Sequence, residues 1–197
     1  VGEGRLGHPL FINMSMWIMN PNESSPYFQL KALHPHTVDV MRYFCGDVTH
    51  VHAFFSHGQT PDGKARKCWS NLQVNMMFKN GVLGHLCGSY DAGGGFGLES
   101  CEVTGSLGRF VLLDACEHLT FTRRDSPESE SHHFLGGMTG FGETFPSRIG
   151  AWIEQNLKKA APAQIDGSGE EALRAQMIIE AAIASWESKS VVEVKYK

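Results

Sequence analysis

The chain has 197 residues, 42% of them hydrophobic and 19% charged, with 17 Lys+Arg against 21 Asp+Glu and a net charge of −4. These values describe a globular chain long enough for one domain with a real core, and they exclude a disordered one. There is no basic stripe for nucleic acid and no polybasic run for a membrane surface, and the longest apolar stretch, around Leu10–Met19, is interrupted by Asn13, Ser15 and Asn20.

The chain opens on Val1-Gly-Glu-Gly-Arg, which has neither an initiator Met nor the pattern of a signal peptide, and reads as a sequence entered part-way. Pro9–Trp17 alternates Ile12, Met14 and Met16 with Asn13 and Ser15, the signature of a half-buried strand. Met19–Tyr27 is a turn-rich loop around Asn20-Pro21-Asn22. Pro35 then stands just inside a helical pattern with Val38, Met41 and Cys45 on one face and Gly46 as a stop, which predicts a helix from about His34 to Phe44. Val48–Ser56 reads as a strand and Gly58–Lys67 as a polar loop. Leu72–Phe78, Lys79-Asn80-Gly81 and Val82–Ser89 predict a hairpin with an Asn-Gly turn.

Gly93–Gly97 reads as a flexible loop. Glu99–Thr104, Arg109–Leu113 and His118–Arg123 are three short strands, and Ser126–Gly140 is a polar, glycine-rich segment expected to be mobile. A helix with Pro146 in its first turn carries Ile149, Trp152 and Ile153 and ends near Leu157. Ser168, with Glu170 and Glu171 behind it, starts another, which carries Leu173, Met177, Ala181, Ile183 and Trp186. Ser190–Lys195 closes as a strand. Runs of strands segregated from helices predict an α+β architecture in two layers: a large, mostly antiparallel open sheet with helices on one face. The uncovered face of such a sheet is a natural dimer surface.

Five cysteines, an odd number at wide spacing with no CxxC pair, favour a reduced, cytoplasmic protein and no zinc site. The chemistry concentrates in Lys31-Ala-Leu-His34-Pro-His36-Thr-Val-Asp39, where a loop enters a helix. His36 and Asp39 are three apart and share a helix face, so the carboxylate can orient the imidazole. An imidazole that takes or gives a proton near neutral pH suits oxidation of an alcohol. On the residues alone, a first-turn histidine hydrogen-bonded for structure is the favoured reading.

Asn20, Asn22 and Tyr27, on the preceding loop, fit polar substrate contacts or plain turn chemistry equally well. Asp91–Gly97 is glycine-rich but leads into a strand, so it lacks the helix N-terminus a pyrophosphate needs. His50 and His52 share a strand face without a third ligand, and His132-His133 read as exposed loop histidines. The four tryptophans fit core or interface positions.

The order of these motifs resembles the C-terminal domain of the glucose–fructose oxidoreductase / inositol dehydrogenase family, written Gfo/Idh/MocA. Gly4-Arg-Leu-Gly7-His-Pro9 looks like the family's lead-in to its second domain. His36-Thr-Val-Asp39 through Gly46 looks like its H-x-x-D helix. Phe78-Lys-Asn80-Gly81-Val-Leu-Gly84 looks like its hairpin and Val103-Thr-Gly105-Ser-Leu-Gly108 like its turn. Asp166–Leu173, with Ile179-Glu-Ala-Ala and Ser185, looks like its closing helix.

The resemblance spans nearly the whole chain. It implies a fold like the C-terminal domain of dihydrodipicolinate reductase, and a single substrate-binding and oligomerisation domain over 1–197. The parent enzyme would be an NAD- or NADP-dependent oxidoreductase acting on a secondary alcohol or carbonyl of a sugar-like or cyclic hydroxy compound. Its open sheet would form the dimer or tetramer. The family histidine falls on His36, and Asp39, His34, Lys31, Asn20 and Tyr27 become supporting or substrate-binding candidates.

Two features depart from the family pattern. There is no strand–GxGxxG–helix unit or Glu-Lys-Pro motif, so no cofactor is expected on this chain alone. And Ala32 stands where many members carry an aspartate, four residues before the histidine; His34 or Lys31 are the candidates to compensate. The alternative is a non-catalytic ligand-binding or dimerisation domain derived from the family.

Overall fold

The computed structural model describes residues 4–60, 62–92 and 97–196. The glycine-rich run tested above as a phosphate loop, and Pro61 of the polar loop, fall at least partly outside the described residues.

Nine strands form one sheet: β1 (Pro9–Trp17), β2 (Val48–Ser56), β3 (Asn71–Phe78), β4 (Leu83–Ser89), β5 (Glu99–Gly105), β6 (Gly108–Leu113), β7 (His118–Arg123), β8 (Ser129–His133) and β9 (Val192–Glu193). Their spatial order is β8-β7-β6-β5-β1-β4-β3-β2-β9. Every neighbouring pair is antiparallel except β1 and β4, which run parallel at the centre with Trp17 beside Ser89. Among the described residues three α-helices accompany the sheet: α1 (His34–Cys45), α2 (Thr144–Leu157) and α3 (Gly169–Ser188). A single wide π-type turn over Gln29–Leu33 leads into α1.

Strand alternation sends one set of side chains under the helices. Ile12 and Met14, Leu72, Val74, Met76 and Phe78, and Leu86 meet Val38 and Met41 of α1 and Ile178, Ile179 and Ala182 of α3, all buried. In β2 the parity changes once. Val48 pairs with Phe78 and His50 with Met77, so Thr49 is an extra residue, and the bulge turns Val48 inward along with Val51, Ala53 and Phe55. At the β3–β4 turn Gly81 has φ +86°, the left-handed position that glycine fills without strain.

The opposite face of the sheet is uncovered. In register across it lie His50, Met77, Leu83 and Phe11, and one step up His52, Asn75, His85, Asn13 and Glu102.

Two expectations need correction. Ser126–Gly140 is not simply a mobile segment, because it contains β8, paired with β7. All five β8 residues are exposed, so no buried face imposes the alternation by which a strand is recognised. The closing strand is shorter than Ser190–Lys195, with only Val192 and Glu193 pairing to β2.

Candidate active site

The carboxyl ends of the parallel strands β1 and β4 lie side by side. The Ile18 amide donates to the Ser89 carbonyl (3.0 Å) and the Asn20 amide to that of Tyr90 (3.2 Å). Helix α1 begins against this end of the sheet. Its first residue, His34, has no exposed surface, and its ring occupies the space that a Cβ on Gly88 of β4 would need.

The Thr37 hydroxyl donates to the His34 carbonyl (3.0 Å), so its oxygen accepts from His34 Nδ1 at 3.0 Å, which assigns the proton to Nδ1. Burial, and secondly the charge of His36, push the His34 imidazole down to about 3. His34 is therefore a neutral wedge between helix and sheet. It cannot meet a ligand from solvent, which removes it as a direct substitute for the acid missing at Ala32.

Other candidates are committed elsewhere. Lys31 Nζ lies 3.0 Å from Glu180 Oε1 on α3. The Tyr27 hydroxyl donates to Glu187 Oε1 at 2.8 Å; burial, then that carboxylate, raise its pKa. Asp39 does not serve His36. Its nearest cation is Arg42, at 3.6 Å, and Arg42 is also held by Asp47 (3.1 Å) and Glu171 (2.8 Å). Sharing a helix face made Asp39 available to either residue, and the buried guanidinium takes it. His36 is left exposed on the first turn of α1, with no hydrogen-bond partner among the described residues.

Asn20 belongs to a polar seam that sequence reasoning missed. Its carbonyl accepts from Arg66 Nη2. Arg66, 5% exposed, also donates from Nη1 to Asp91 Oδ1 (2.7 Å). Asp91 Oδ2 accepts from Ser70 Oγ (2.6 Å) and Asn71 Nδ2 (2.7 Å). Burial opposes ionisation of Asp91, but those hydrogen bonds and the Arg66 charge outweigh it and hold the carboxyl below its usual range. Beneath it Gln29 is fully buried. In the orientation its neighbours dictate, its amide nitrogen donates to the Trp69 and Ser70 carbonyls, and its oxygen accepts from the Ser89 and Tyr90 amides.

Arg66 and Asp91 are 25 residues apart and sit on loops that read as ordinary turns. Only the β3–β4 pairing brings those loops together, and no local pattern announces it.

A cleft of about 430 Å³ opens beside the same end of β1, lined by Trp17, Ile18, Met19, Leu98, Glu117 and Phe141 among others. Among the described residues, the N-termini of α1 and α3 are not open to a pyrophosphate. The α3 N-terminus is capped by Ser168, with Glu170 and Glu171 in its first turn, which repels phosphate, and the α1 N-terminus is filled by His34 and Pro35. Among the described residues no group of three or more His, Cys, Asp or Glu side chains is arranged to hold a metal. His50 and His52 stay on the sheet surface, the latter edge-on to Phe54. No described helix is long and apolar enough to cross a membrane.

Residues 1–111 match the family model for the GFO/IDH/MocA C-terminal domain. No curated protein matches the chain. Among solved structures, a levoglucosan dehydrogenase in complex with NADH superposes with a TM-score of 0.84 at 17% identity, over 100% of this chain and 61% of its own. An NAD-binding oxidoreductase from Klebsiella pneumoniae gives 0.82 at 18% identity, over 100% and 61%. An oxidoreductase from Agrobacterium radiobacter, in complex with NAD+, L-tartaric acid and magnesium, gives 0.79 at 17%, over 98% and 59%. The likeness at these identities is one of fold, and this chain spans about three-fifths of the length of each.

Proposed function

Because this chain belongs to the GFO/IDH/MocA family, through that family's C-terminal domain, we propose that it is the substrate-binding and dimerisation domain of an NAD(P)-dependent oxidoreductase. The reaction is oxidation of a secondary alcohol, or reduction of the corresponding carbonyl, on a sugar-like or cyclic hydroxy compound. Levoglucosan and L-tartaric acid, bound by structurally similar proteins, are both polyhydroxylated and support that class.

The observation that carries the reading is His36. Of the residues clustered at the start of α1, it alone combines exposure with freedom from a structural partner, at the carboxyl end of the central strands. Its imidazole would hold or remove the proton of the substrate hydroxyl, and the nicotinamide cofactor, when bound, would supply the hydride acceptor or donor. NAD or NADP would be held mainly by a Rossmann domain, as the family resemblance implies.

The uncovered sheet face, with Phe11, Phe54, Met77 and Leu83 between about 47% and 55% exposed, supports a homodimer or tetramer built through it. Five free cysteines support a reducing, cytoplasmic setting.

The test is His36→Ala in the full-length protein, with NAD+ or NADP+ and a panel of polyols and anhydrosugars. Turnover is expected to fall by roughly 10²–10⁴-fold with an unchanged circular dichroism spectrum. Near-normal turnover removes His36 from the chemistry. A second reading, a non-catalytic ligand-binding or dimerisation domain, is favoured by Ala32, which puts an exposed methyl group where the family acid would act. It predicts ligand binding without cofactor reduction in the same panel.

A further inference from the structure

We infer that the outer hairpin β7–β8 carries a two-histidine site for a divalent transition-metal ion that favours imidazole, made by His118 and His133. The two residues face each other directly across the hairpin. The Phe134 amide donates to the Glu117 carbonyl (3.0 Å), so 117/134 is the hydrogen-bonded pair. That makes 118/133 the non-bonded pair, in which antiparallel side chains stand closest.

The rings meet edge to face, with Nδ1 of each 2.7 Å from Nδ1 of the other. Ligand bonds of 2.0–2.1 Å place two nitrogens about 2.9 Å apart at a right angle and about 3.3 Å apart at a tetrahedral one. A slight opening of the pair therefore gives the right-angle arrangement that Cu2+ and Ni2+ prefer, and a larger one accommodates Zn2+.

Both side chains are exposed, so an ion reaches them without unfolding and water completes its coordination. The adjacent residues are otherwise disposed: Glu130 is paired with Arg5, and His132 lies on the other side of the strand, 3.9 Å from Glu130. The site differs from the His132-His133 tandem that the sequence draws attention to, because neighbours along a strand point to opposite faces.

The consequence is mechanical. Strand β8 buries no residue, and a metal bridging 118 and 133 would clip it to the sheet.

The experiment strips the protein with a chelator and titrates it with CuSO4, and separately with NiCl2, beside His118→Ala, His133→Ala and His132→Ala. One equivalent is expected to bind the parent and His132→Ala, with affinity lowered by roughly tenfold or more in the other two variants. Amide hydrogen exchange over residues 129–133 is expected to slow on adding metal to the parent protein. Equal binding by all four proteins overturns the site. So does metal that leaves exchange in β8 unchanged in the parent, a readout that does not depend on any variant folding.

Discussion

Helices α2 and α3 are both amphipathic and meet opposite fates. Helix α3 lies on the sheet and buries Ala175, Ile178, Ile179, Ala182 and Ile183. Its buried Ser185 accepts from the Ala53 amide (3.1 Å) and donates to the Ser190 carbonyl (2.6 Å), tying the helix to β2 and to the chain's closing segment. Helix α2 has no fully buried residue: Phe145, Ile149, Trp152, Ile153 and Leu157 are between 46% and 79% exposed. An apolar stripe records that a helix has a face to cover; it does not record whether this chain covers it. The same contrast divides the sheet, whose central strands are lined by core residues on one face, while β8 at the edge has none.

The contrast is sharpest where a side chain is removed. Ile178→Ala in α3 is expected to cost about 2–5 kcal/mol of unfolding free energy, and Ile149→Ala in α2 less than about 0.5 kcal/mol, both read from urea denaturation. Comparable losses would mean that α2 is packed in solution.

Arg66→Met should cost about 3 kcal/mol by leaving Asp91 partly buried without its cation, at the carboxyl ends of the two central strands. A stability change below 1 kcal/mol, about the value of an exposed pair, would show that water reaches the seam freely.

His34 extends the comparison to pH. Its folded pKa lies below its ordinary value of 6.5, so its neutral burial contributes fully above about pH 6.5. That contribution is lost as pH falls from 6.5 towards 3, at about 1.4 kcal/mol per pH unit. Denaturation at several pH values should show this slope in the parent and lose it in His34→Gln; an unchanged slope would assign the acid sensitivity to other groups.

Gly88→Ala should cost about 1–3 kcal/mol through overlap with the His34 ring, and His34→Gly in the same chain should recover part of it. The smallest effect belongs to the surface: Lys31→Ala, which removes a half-exposed pair with Glu180, should change stability by less than about 1 kcal/mol in the same denaturation assay.

Much of the architecture was legible along the chain. Alternation in Pro9–Trp17, the Asn80-Gly81 turn, Pro35 and Gly46 around α1, and Ser168 with its acids before α3 are local signals, each set by the backbone preferences of a few neighbouring residues. They were enough to anticipate a mostly antiparallel sheet with helices on one face, and His36 at a helix start. What they could not carry was pairing at long range. The bulge at Thr49, the exposed strand β8, and the Arg66–Asp91 seam depend on which strand lies beside which.

The histidines make the same division at closer quarters. The sequence by itself determined that His34, His36 and Asp39 enter one helix start, because helical spacing needs no partner. Only the tertiary structure decided that Gly88 leaves room to bury His34, that Arg42 draws Asp39, and that His36 remains in solvent. Burial and charge pairing are properties of what surrounds a residue, and those surroundings come from segments up to 160 positions away, as Tyr27 and Glu187 are.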